Sequence, residues 1–434
     1  MPKTRGKEIR LKRELGLLET TFAGVGIIVG AGIYALLGVA TGIAGNAVWL
    51  SFGIASFVAL FTGLSYAELA SMFPDDAGEY LYVSKAFSER LGFLSAWMVI
   101  FMIMFGGAGV AVGFAGYLTS LFTGVAISAL TAAAAVIFVF GLVNYWGIKQ
   151  SATLNIWFTS LEVLGLIVIV VLGVKYFGNV DYFHMANGLK GVVSTAALAF
   201  WAFIGFESIV KLSEECREPE KTIPKALILS IAITTVLYVL VAVAAVSIIG
   251  WEALGASAAP MADVAMAALG QTGFVALAVI ALFSTANTVL IIEVTTSRQI
   301  YGIAETYKRV KWLAYINPKR RTPSRAVLVT MLVMIGFLFL GGLKLLAELT
   351  NFAVFFTFIF VNAAMIVLRY KEPDTKRPFR APLNIGKLPI LPLCGILFSL
   401  FMVTRLAPTV ILGGLGVAGL GLVVFELLKS GKTV

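Results

Sequence analysis

The chain has 434 residues, of which 59% are hydrophobic and 13% are charged, and its formal net charge is +10. This composition excludes an ordinary soluble globular protein, in which about a quarter of the residues are charged. No polar interval is long enough for a separate soluble domain, so the sequence predicts one all-α polytopic membrane unit.

Apolar runs that could cross a bilayer recur along the whole chain. Because an α-helix rises about 1.5 Å per residue, roughly 20 apolar residues span the hydrocarbon layer. About twelve transmembrane helices are predicted, numbered here as spans 1 to 12: 16–40, 47–73, 91–122, 125–146, 152–174, 192–212, 225–249, 272–297, 325–346, 349–369, 388–406 and 409–428.

The distribution of basic residues predicts the orientation. With the N-terminus inside, 29 of the 33 Lys and Arg residues lie on the inner side, and the four on the outer side are Lys175, Lys190, Lys344 and Arg405. This asymmetry follows the positive-inside rule and predicts a multi-pass protein of the cell (plasma) membrane with both termini cytoplasmic. The basic charge therefore orients the chain, and we expect no binding of nucleic acid.

Span 1 contains five glycines in the segment GVGIIVGAGIYALLG, residues 24–38. In one interpretation, Gly26 and Gly30 form a GxxxG face for close helix packing. In the other, Gly30, Ala31 and Gly32 unwind and leave backbone polar groups without partners in the membrane. The spacing alone favours neither. An unwound segment would offer N–H groups to a carboxylate and carbonyl oxygens to an ammonium group, as a zwitterion requires.

Two glutamates are predicted to lie deep in the membrane. Glu162 is about twelve residues into span 5, roughly 18 Å from its start. A charged carboxylate there costs about 2.5–3.5 kcal/mol, so a paired, hydrated or protonated group is expected. Such an acid indicates an ion or proton route, and a neutral carboxyl bonded to a neighbouring helix is the alternative. For Glu207 in span 6, a structural hydrogen bond and a functional role are equally supported.

Other polar residues lie in spans 2 and 8. Span 8 carries side-chain oxygens at Ser284, Thr285, Asn287 and Thr288, although such hydroxyls usually bond to their own helix. Glu293 is expected to reach the interface or to pair with Arg298. Glu68 is expected at the inner interface, facing the next loop.

The chain lacks the side chains that most enzyme sites need. It has one histidine, His184, and two widely separated cysteines, Cys216 and Cys394. The sequence therefore does not supply the residues needed for a zinc site, a Cys–His pair or a Ser–His–Asp triad. We expect no catalysis, no cofactor, no metal centre and no disulfide.

Six segments, in order and spacing, resemble the amino acid–polyamine–organocation transporter family. They are GIIVGAGIY, YAELASMFPDDAGEYLYVSKAF, NYWGIKQSA, FWAFIGFESIVKLSEECREPEKTIPKAL, SRQIY and LRYKEPDTKRPFRAP. The resemblance runs from about residue 12 to residue 382, and spans 11 and 12 match only in hydrophobicity.

The resemblance implies a leucine-transporter-like fold, in which two five-helix repeats are inverted and spans 1 and 6 are broken at their centres. The implied units are a basic cytoplasmic tail at 1–15, a first repeat at 16–174, a second repeat at 192–369, two additional transmembrane helices at 388–428 and a cytoplasmic tail at 429–434.

The resemblance also implies a substrate site. In the family the small-residue turn of span 1 receives the substrate carboxylate, and this turn corresponds to the backbone of Gly30, Ala31 and Gly32. Carbonyls beside the breaks bind the amino group, and here they belong to Ile28, Trp201, Ala202 and Ile204. Trp201 and Phe203 line the pocket or close it from outside. Support or gating is assigned to Glu207, Ser284 and Thr285.

Two departures from the family pattern bear on this assignment. Ala31 stands where the family often has Ser, so the backbone alone must hold the carboxylate. Glu162 stands where proton-coupled relatives often carry Lys. We expect Glu162 to carry a coupled H⁺, because removal from water favours the neutral form of a carboxyl group. The alternatives are a sodium ion at Glu162, Ser284 and Thr285, or attraction of a cationic substrate by the Glu162 carboxylate.

The sequence thus predicts a secondary active transporter, a permease that carries broad neutral L-amino acids by proton symport with alternating access. The alternatives are sodium-coupled symport, amino acid/polyamine exchange, or an amino-acid-binding membrane receptor without transport. A channel would need a polar stripe along a span, and no predicted span carries one.

Overall fold

The computed structural model describes residues 15–73, 78–122, 124, 127–147 and 152–429. The predicted tails at 1–15 and 429–434 lie almost wholly outside the described residues. The α-helices are α1 (Leu17–Ile28), α2 (Ala31–Ala44), α3 (Val48–Met72), α4 (Glu79–Ala86), α5 (Glu89–Leu121), α6 (Ala129–Trp146), α7 (Ala152–Gly173), α8 (Gly188–Ala199), α9 (Pro219–Ala256), α10 (Pro260–Leu269), α11 (Gln271–Thr306), α12 (Ser324–Phe337), α13 (Leu343–Lys371), α14 (Ile390–Val403) and α15 (Pro408–Lys429).

Shorter elements connect some of these helices. The 3₁₀ helices cover Gly45–Ala47, Val174–Tyr176, Phe200–Phe203, Phe206–Glu215 and Lys308–Ala314. The strands β1 (Asn384–Ile385) and β2 (Leu388–Pro389) pair antiparallel in the connection between α13 and α14.

Several helix boundaries follow from local sequence. The Ser88 hydroxyl accepts a hydrogen bond from the Leu91 N–H at the start of α5, and Ser128 caps α6 in the same way through the Thr131 N–H. Pro219 occupies the first turn of α9, where its missing N–H removes no helical bond. Gly147 ends α6 with a φ of +88°, a conformation that favours glycine.

The predicted all-α polytopic membrane fold is confirmed. In the described part of the chain, nine helical stretches are long and apolar enough to cross a membrane. Spans 9 and 11 correspond to α12 and α14, which have 14 residues each and are shorter than a full crossing of about 20 residues. Predicted spans 1–5 comprise α1 to α7, spans 6–10 comprise α8 to α13, and α14 and α15 follow. The inverted relation of the two blocks remains a prediction.

One predicted boundary is wrong. Spans 9 and 10 were expected at 325–346 and 349–369, but α12 ends at Phe337 and α13 begins at Leu343. The turn lies at Gly341 and Gly342, and Gly341 has a φ of +158°. The apolar run continues across this turn, so hydropathy alone placed the boundary at the nearest charges, Lys344 and Glu348.

A buried ion-pair network ties α3 to α13. Glu68 is fully buried, and its carboxylate accepts bonds from Arg369 at 2.8 and 2.5 Å and from the Ala381 N–H at 2.7 Å. Arg377 lies 3.5 Å from the same carboxylate. The expectation that Glu68 faces the next loop is therefore wrong, because its partners come from α13 and the connection 372–389. We call the end of the bundle with α4 and the connections 307–323 and 372–389 the basic face.

This network gives a stability prediction. Glu68→Gln leaves the buried guanidinium groups of Arg369 and Arg377 without their shared carboxylate, so we expect the unfolding free energy to fall by about 3–5 kcal/mol. The matched control is Glu426→Gln, which breaks the Arg90–Glu426 pair, in which both side chains are 52% exposed. An exposed pair contributes at most about 1 kcal/mol. Thermal unfolding of the two purified variants in one detergent measures the difference, and equal midpoints would contradict the assignment.

Candidate functional site

Span 1 is broken near its centre. α1 ends at Ile28 and α2 begins at Ala31, and the residues between them, Val29 and Gly30, have extended backbone. The break therefore lies one residue earlier than the predicted unwound triplet, because Ala31 and Gly32 already belong to α2. The unwound interpretation of the glycine run holds at Gly30, and close packing holds at Gly26, where a methyl group would approach the Thr159 side chain on α7 to 2.4 Å.

Span 6 is broken at the same depth. α8 ends at Ala199, a 3₁₀ turn follows over Phe200–Phe203, and Ile204 is extended. Gly205 has a φ of +124°, which strongly favours glycine. A methyl group there would also approach the Ile27 carbonyl oxygen to 2.8 Å, so glycine lets the two broken spans meet.

The two breaks pack directly on each other. A methyl group on Gly32 would lie 2.9 Å from the Ala202 Cα atom, which is too close for a real Cβ contact. At Gly30 the nearest atom to a methyl group would be the Thr288 Oγ1 atom at 3.8 Å, which is an ordinary contact. Gly32 is therefore required by packing, whereas Gly30 is not.

Tyr238 on α9 bridges the two breaks. Its hydroxyl lies 3.0 Å from the Ile28 carbonyl oxygen and 3.0 Å from the Ala202 carbonyl oxygen, so one buried donor is shared between two predicted substrate-binding carbonyls. Its ring packs edge-on against Phe203 at 5.3 Å. Tyr238 was not among the residues predicted from the sequence. The signal for a hydrogen-bonding role was a tyrosine inside an otherwise apolar span.

The other backbone polar groups at the breaks differ in whether they have a hydrogen-bond partner. The Gly205 N–H donates to the Glu207 carboxylate at 2.9 Å, so Glu207 supports the break through a hydrogen bond. The Trp201 carbonyl accepts from the Ile204 N–H at 3.4 Å. At the start of α2, Gly30 offers no side-chain cap, and the first N–H groups of a helix have no acceptor within it. The sequence-predicted carboxylate position therefore coincides with a helix N-terminus, where negative charge is favoured.

The two predicted aromatic residues point to different helices. Trp201 is 6% exposed and packs against α5, where methyl groups at Gly106 and Gly109 would approach its ring to 3.7 and 3.1 Å. Phe203 is fully buried and packs against Phe200 and Tyr238. Neither ring is free to move without displacing a neighbouring helix.

Solvent exposure differs between the two sides of the breaks. On the α2 side the backbone and the aromatic layer are closed, and Tyr34, Trp201 and Phe203 are buried. On the α1 side Ile27 is 38% exposed, and Gly30 and Ile204 are half-buried. The breaks are thus less tightly enclosed by protein on the α1 side, which leads to the basic face.

Glu162 lies against span 1 and α11. It is 4% exposed, and its main-chain carbonyl accepts a 2.6 Å bond from the Tyr34 hydroxyl on α2. Ser284 on α11 lies near the Glu162 carboxyl without meeting full hydrogen-bond geometry. The structure therefore places Glu162 and Ser284 together, next to the helix that begins at the span 1 break.

The other predicted hydroxyl groups bond to their own helix. Thr285 donates to the Ala281 carbonyl at 2.7 Å, and Thr288 donates to the Ser284 carbonyl at 2.9 Å. This is the usual behaviour of threonine in a membrane helix. In the described residues, no group of three or more His, Cys, Asp or Glu side chains could hold a metal ion.

Besides Glu162 on α7, a second carboxyl group, that of Glu293 on α11, is buried. It is 1% exposed, and neither carboxyl oxygen has a hydrogen-bond partner in the described part of the chain. A methyl group at Gly141 on α6 would lie 3.2 Å from the Glu293 Oε2 atom. Arg298 donates to the Val294 carbonyl instead, so the expected pairing of Glu293 with Arg298 is wrong.

The chain was compared with known proteins. It is 32% identical to a branched-chain amino acid permease of Bacillus subtilis over 97% of this chain and 94% of the relative. It is 27% identical to a methylthioribose transporter of the same species, over 90% of this chain and 87% of that protein. It is also 30% identical to human cationic amino acid transporter 4, over 84% of this chain and 61% of that protein.

The sequence pattern of the amino acid permease family matches residues 15–418, which include both breaks and all but the end of α15. Members of this family are permeases and not enzymes, in agreement with the expectation from the sequence. The chain therefore belongs to the amino acid permease family and is an integral membrane transporter.

Proposed function

We propose that this permease carries neutral L-amino acids by proton symport, and that the two facing breaks bind the substrate. The observation that carries the proposal is the packing of span 1 on span 6 through Gly32, Ala202 and Gly205. This packing brings the positive N-terminal end of α2 close to the Ile28 carbonyl of span 1 and the Ala202 carbonyl of span 6. Such an arrangement suits both poles of a zwitterion.

The substrate carboxylate is proposed to accept hydrogen bonds from the N–H groups of Gly30, Ala31 and Gly32. These groups lie at the uncapped N-terminus of α2, where the helix dipole also favours negative charge. Because Ala31 has no hydroxyl group, recognition of the carboxylate depends on the main chain alone.

The substrate ammonium group is proposed to lie beside the Ile28 and Ala202 carbonyls. Each carbonyl oxygen has two lone pairs, so the Tyr238 hydroxyl uses one acceptor position and leaves another. Trp201 and Ile204 contribute the neighbouring carbonyls, although the Trp201 carbonyl already accepts the Ile204 N–H. The Tyr238 hydroxyl and the substrate ammonium group would then donate to the same two carbonyl oxygens.

The proposed side-chain specificity is for neutral residues. The side chains around the breaks are mostly apolar, with Ile28, Phe203 and Ile204 among them, and the Glu207 carboxylate beside them already accepts the Gly205 N–H. The branched-chain amino acid permease covers nearly the whole chain, which favours a neutral substrate over the cationic one named for the human relative.

The proposed transport cycle is alternating access across the cell membrane, with the basic face and both termini in the cytoplasm. The structure then corresponds to a state closed on the outer side by Trp201 and Phe203 and more open toward the cytoplasm. Glu162 is proposed to carry the coupled H⁺, because its carboxyl is buried beside α2 and Ser284 without a cationic partner in the described residues.

Uptake into proteoliposomes tests whether the chain transports neutral amino acids. Proteoliposomes containing the full chain should accumulate radiolabelled leucine, isoleucine or valine under an imposed pH gradient that is acidic outside. We expect no accumulation from a sodium gradient alone, and little competition from arginine or polyamines. Binding without counterflow would indicate a receptor, sodium-driven uptake would indicate a sodium symporter, and dominant arginine competition would overturn the substrate class.

The second prediction compares two neighbouring glycines. Gly32→Ala forces a methyl group into the Ala202 backbone, and overpacking of this kind costs about 1–3 kcal/mol, so we expect initial uptake to fall by about tenfold or more. Gly30→Ala is the matched control, since its methyl group has 3.8 Å to the nearest atom and should leave most of the uptake. Equal losses in the two variants would show that contact between the breaks is not limiting.

The third prediction compares the two buried glutamates. Glu162→Gln cannot bind or release a proton, so we expect loss of pH-driven accumulation while equilibrium exchange of labelled substrate continues. Glu293→Gln is the matched control, because Glu293 is equally buried but lies against α6. Uptake assays at several imposed pH gradients distinguish the two, and the reverse pattern would move the coupling site to Glu293.

A further inference from the structure

The basic face contains a cavity that the transport proposal does not use. It has a volume of about 270 Å³ and lies where α13 meets the connection 372–389. Its lining is uniformly basic or neutral, and it consists of Arg369, Pro373, Thr375, Arg377, Arg380 and Lys387. The positive-inside bias accounts for basic residues on this face, but it does not require four of them to converge on one cavity.

The inner wall of the cavity is held rigidly. Arg369 bonds to the Glu68 carboxylate, to the Asn384 side chain and to the Ala381 carbonyl. The Arg377 guanidinium donates to the Leu368 and Glu372 carbonyls, both at 2.9 Å, at the C-terminal end of α13. Two guanidinium groups are therefore fixed in position before any ligand arrives.

The cavity carries an excess of positive charge. Glu68 is the carboxylate shared by Arg369 and Arg377, and the Arg377 Nε atom makes no hydrogen bond although it lies 3.5 Å from that carboxylate. Arg380 and Lys387 at the mouth are exposed, and neither pairs with a carboxylate within the described residues. Among the described residues that line the cavity or pair with its lining, four cations thus face the Glu68 carboxylate, an excess of three positive charges.

Arg377 experiences electrostatic repulsion from the neighbouring cations. Partial burial, together with the nearby guanidinium groups of Arg369 and Arg380, lowers the pKa of Arg377, and Glu68 opposes this effect. A second anion in the cavity would relieve the repulsion between these cations. Glu372 also opposes the effect, but its carboxylate already accepts a bond from Thr375 at 3.3 Å and it does not line the cavity.

We propose that this cavity is a binding site for a phosphate-type oxyanion, either the headgroup of an anionic lipid or a free phosphate. Planar guanidinium groups match the geometry of phosphate oxygens, and charge-assisted bonds of this kind are strong. The volume lies just below the roughly 300–1,000 Å³ of small-molecule sites, which suits a headgroup-sized anion. The cavity lies at the C-terminal end of the membrane helix α13, the depth at which lipid headgroups are found.

The test uses the full chain in nanodiscs and follows the midpoint of thermal unfolding. One arm titrates inorganic phosphate against chloride at constant ionic strength in phosphatidylcholine nanodiscs. The other arm replaces part of the phosphatidylcholine with phosphatidylglycerol. We expect one or both arms to raise the midpoint of the unmodified protein, and the arm that responds identifies the source of the phosphate group.

The variant Arg380→Gln/Lys387→Gln removes the two cations that hold no internal partner, so folding should be unaffected. We expect its half-saturating phosphate concentration, or lipid fraction, to rise at least about tenfold, because two charge-assisted bonds are lost. The control Lys308→Gln/Lys319→Gln removes two cations from the connection 307–323 and should behave as the unmodified protein. No response in either arm, or equal responses in all three proteins, would overturn the proposal, whatever the result of the uptake assays.

Discussion

The structure depends on one constraint, which is that main-chain polar groups exposed by a broken membrane helix must find partners inside the protein. The chain meets this constraint at both breaks by different means. The Glu207 carboxylate accepts the Gly205 N–H, and the Tyr238 hydroxyl is shared by the Ile28 and Ala202 carbonyls. The amides at the start of α2 have no side-chain cap, and they are the groups proposed to bind the substrate carboxylate. A binding site made of main-chain groups would need no charged side chain to hold a zwitterion.

The glycines make this arrangement possible through packing as much as through flexibility. Gly32 and Gly205 allow α2 and the span 6 segment to approach to within main-chain contact, and Gly26 allows α1 to approach α7. Such contacts couple the two breaks mechanically, because a displacement of one half-helix must move the residues opposite. The same close approach brings Glu162 to α2 through the Tyr34 bond. A change in charge at Glu162 can therefore act on the half-helix that is proposed to bind the carboxylate.

The sequence allowed the fold class and most spans to be predicted, because hydropathy acts locally along the chain. The breaks in spans 1 and 6 were implied by the family resemblance, since the glycine spacing in span 1 alone favoured neither a break nor close packing. The Gly341–Gly342 turn was misplaced, since a continuous apolar run hides a turn that needs no polar residue. Tyr238 and the Glu68–Arg369 pair were missed or misassigned for another reason. Their partners lie 210 and 301 residues away in the chain, and no local pattern reports such contacts.

Four of the buried acids, Glu68, Glu162, Glu207 and Glu293, show why burial alone does not identify a coupling site. Glu68 is ion-paired with Arg369, and the Glu207 carboxylate accepts the Gly205 N–H. Among the described residues, Glu162 and Glu293 have neither an ion-pair partner nor a main-chain N–H donor, and an unpaired buried charge is costly. Only one of these two adjoins a broken span, because Glu162 contacts α2 whereas Glu293 faces Gly141 on α6. The proposed coupling at Glu162 therefore rests on its position beside α2, to which its main-chain carbonyl is bonded.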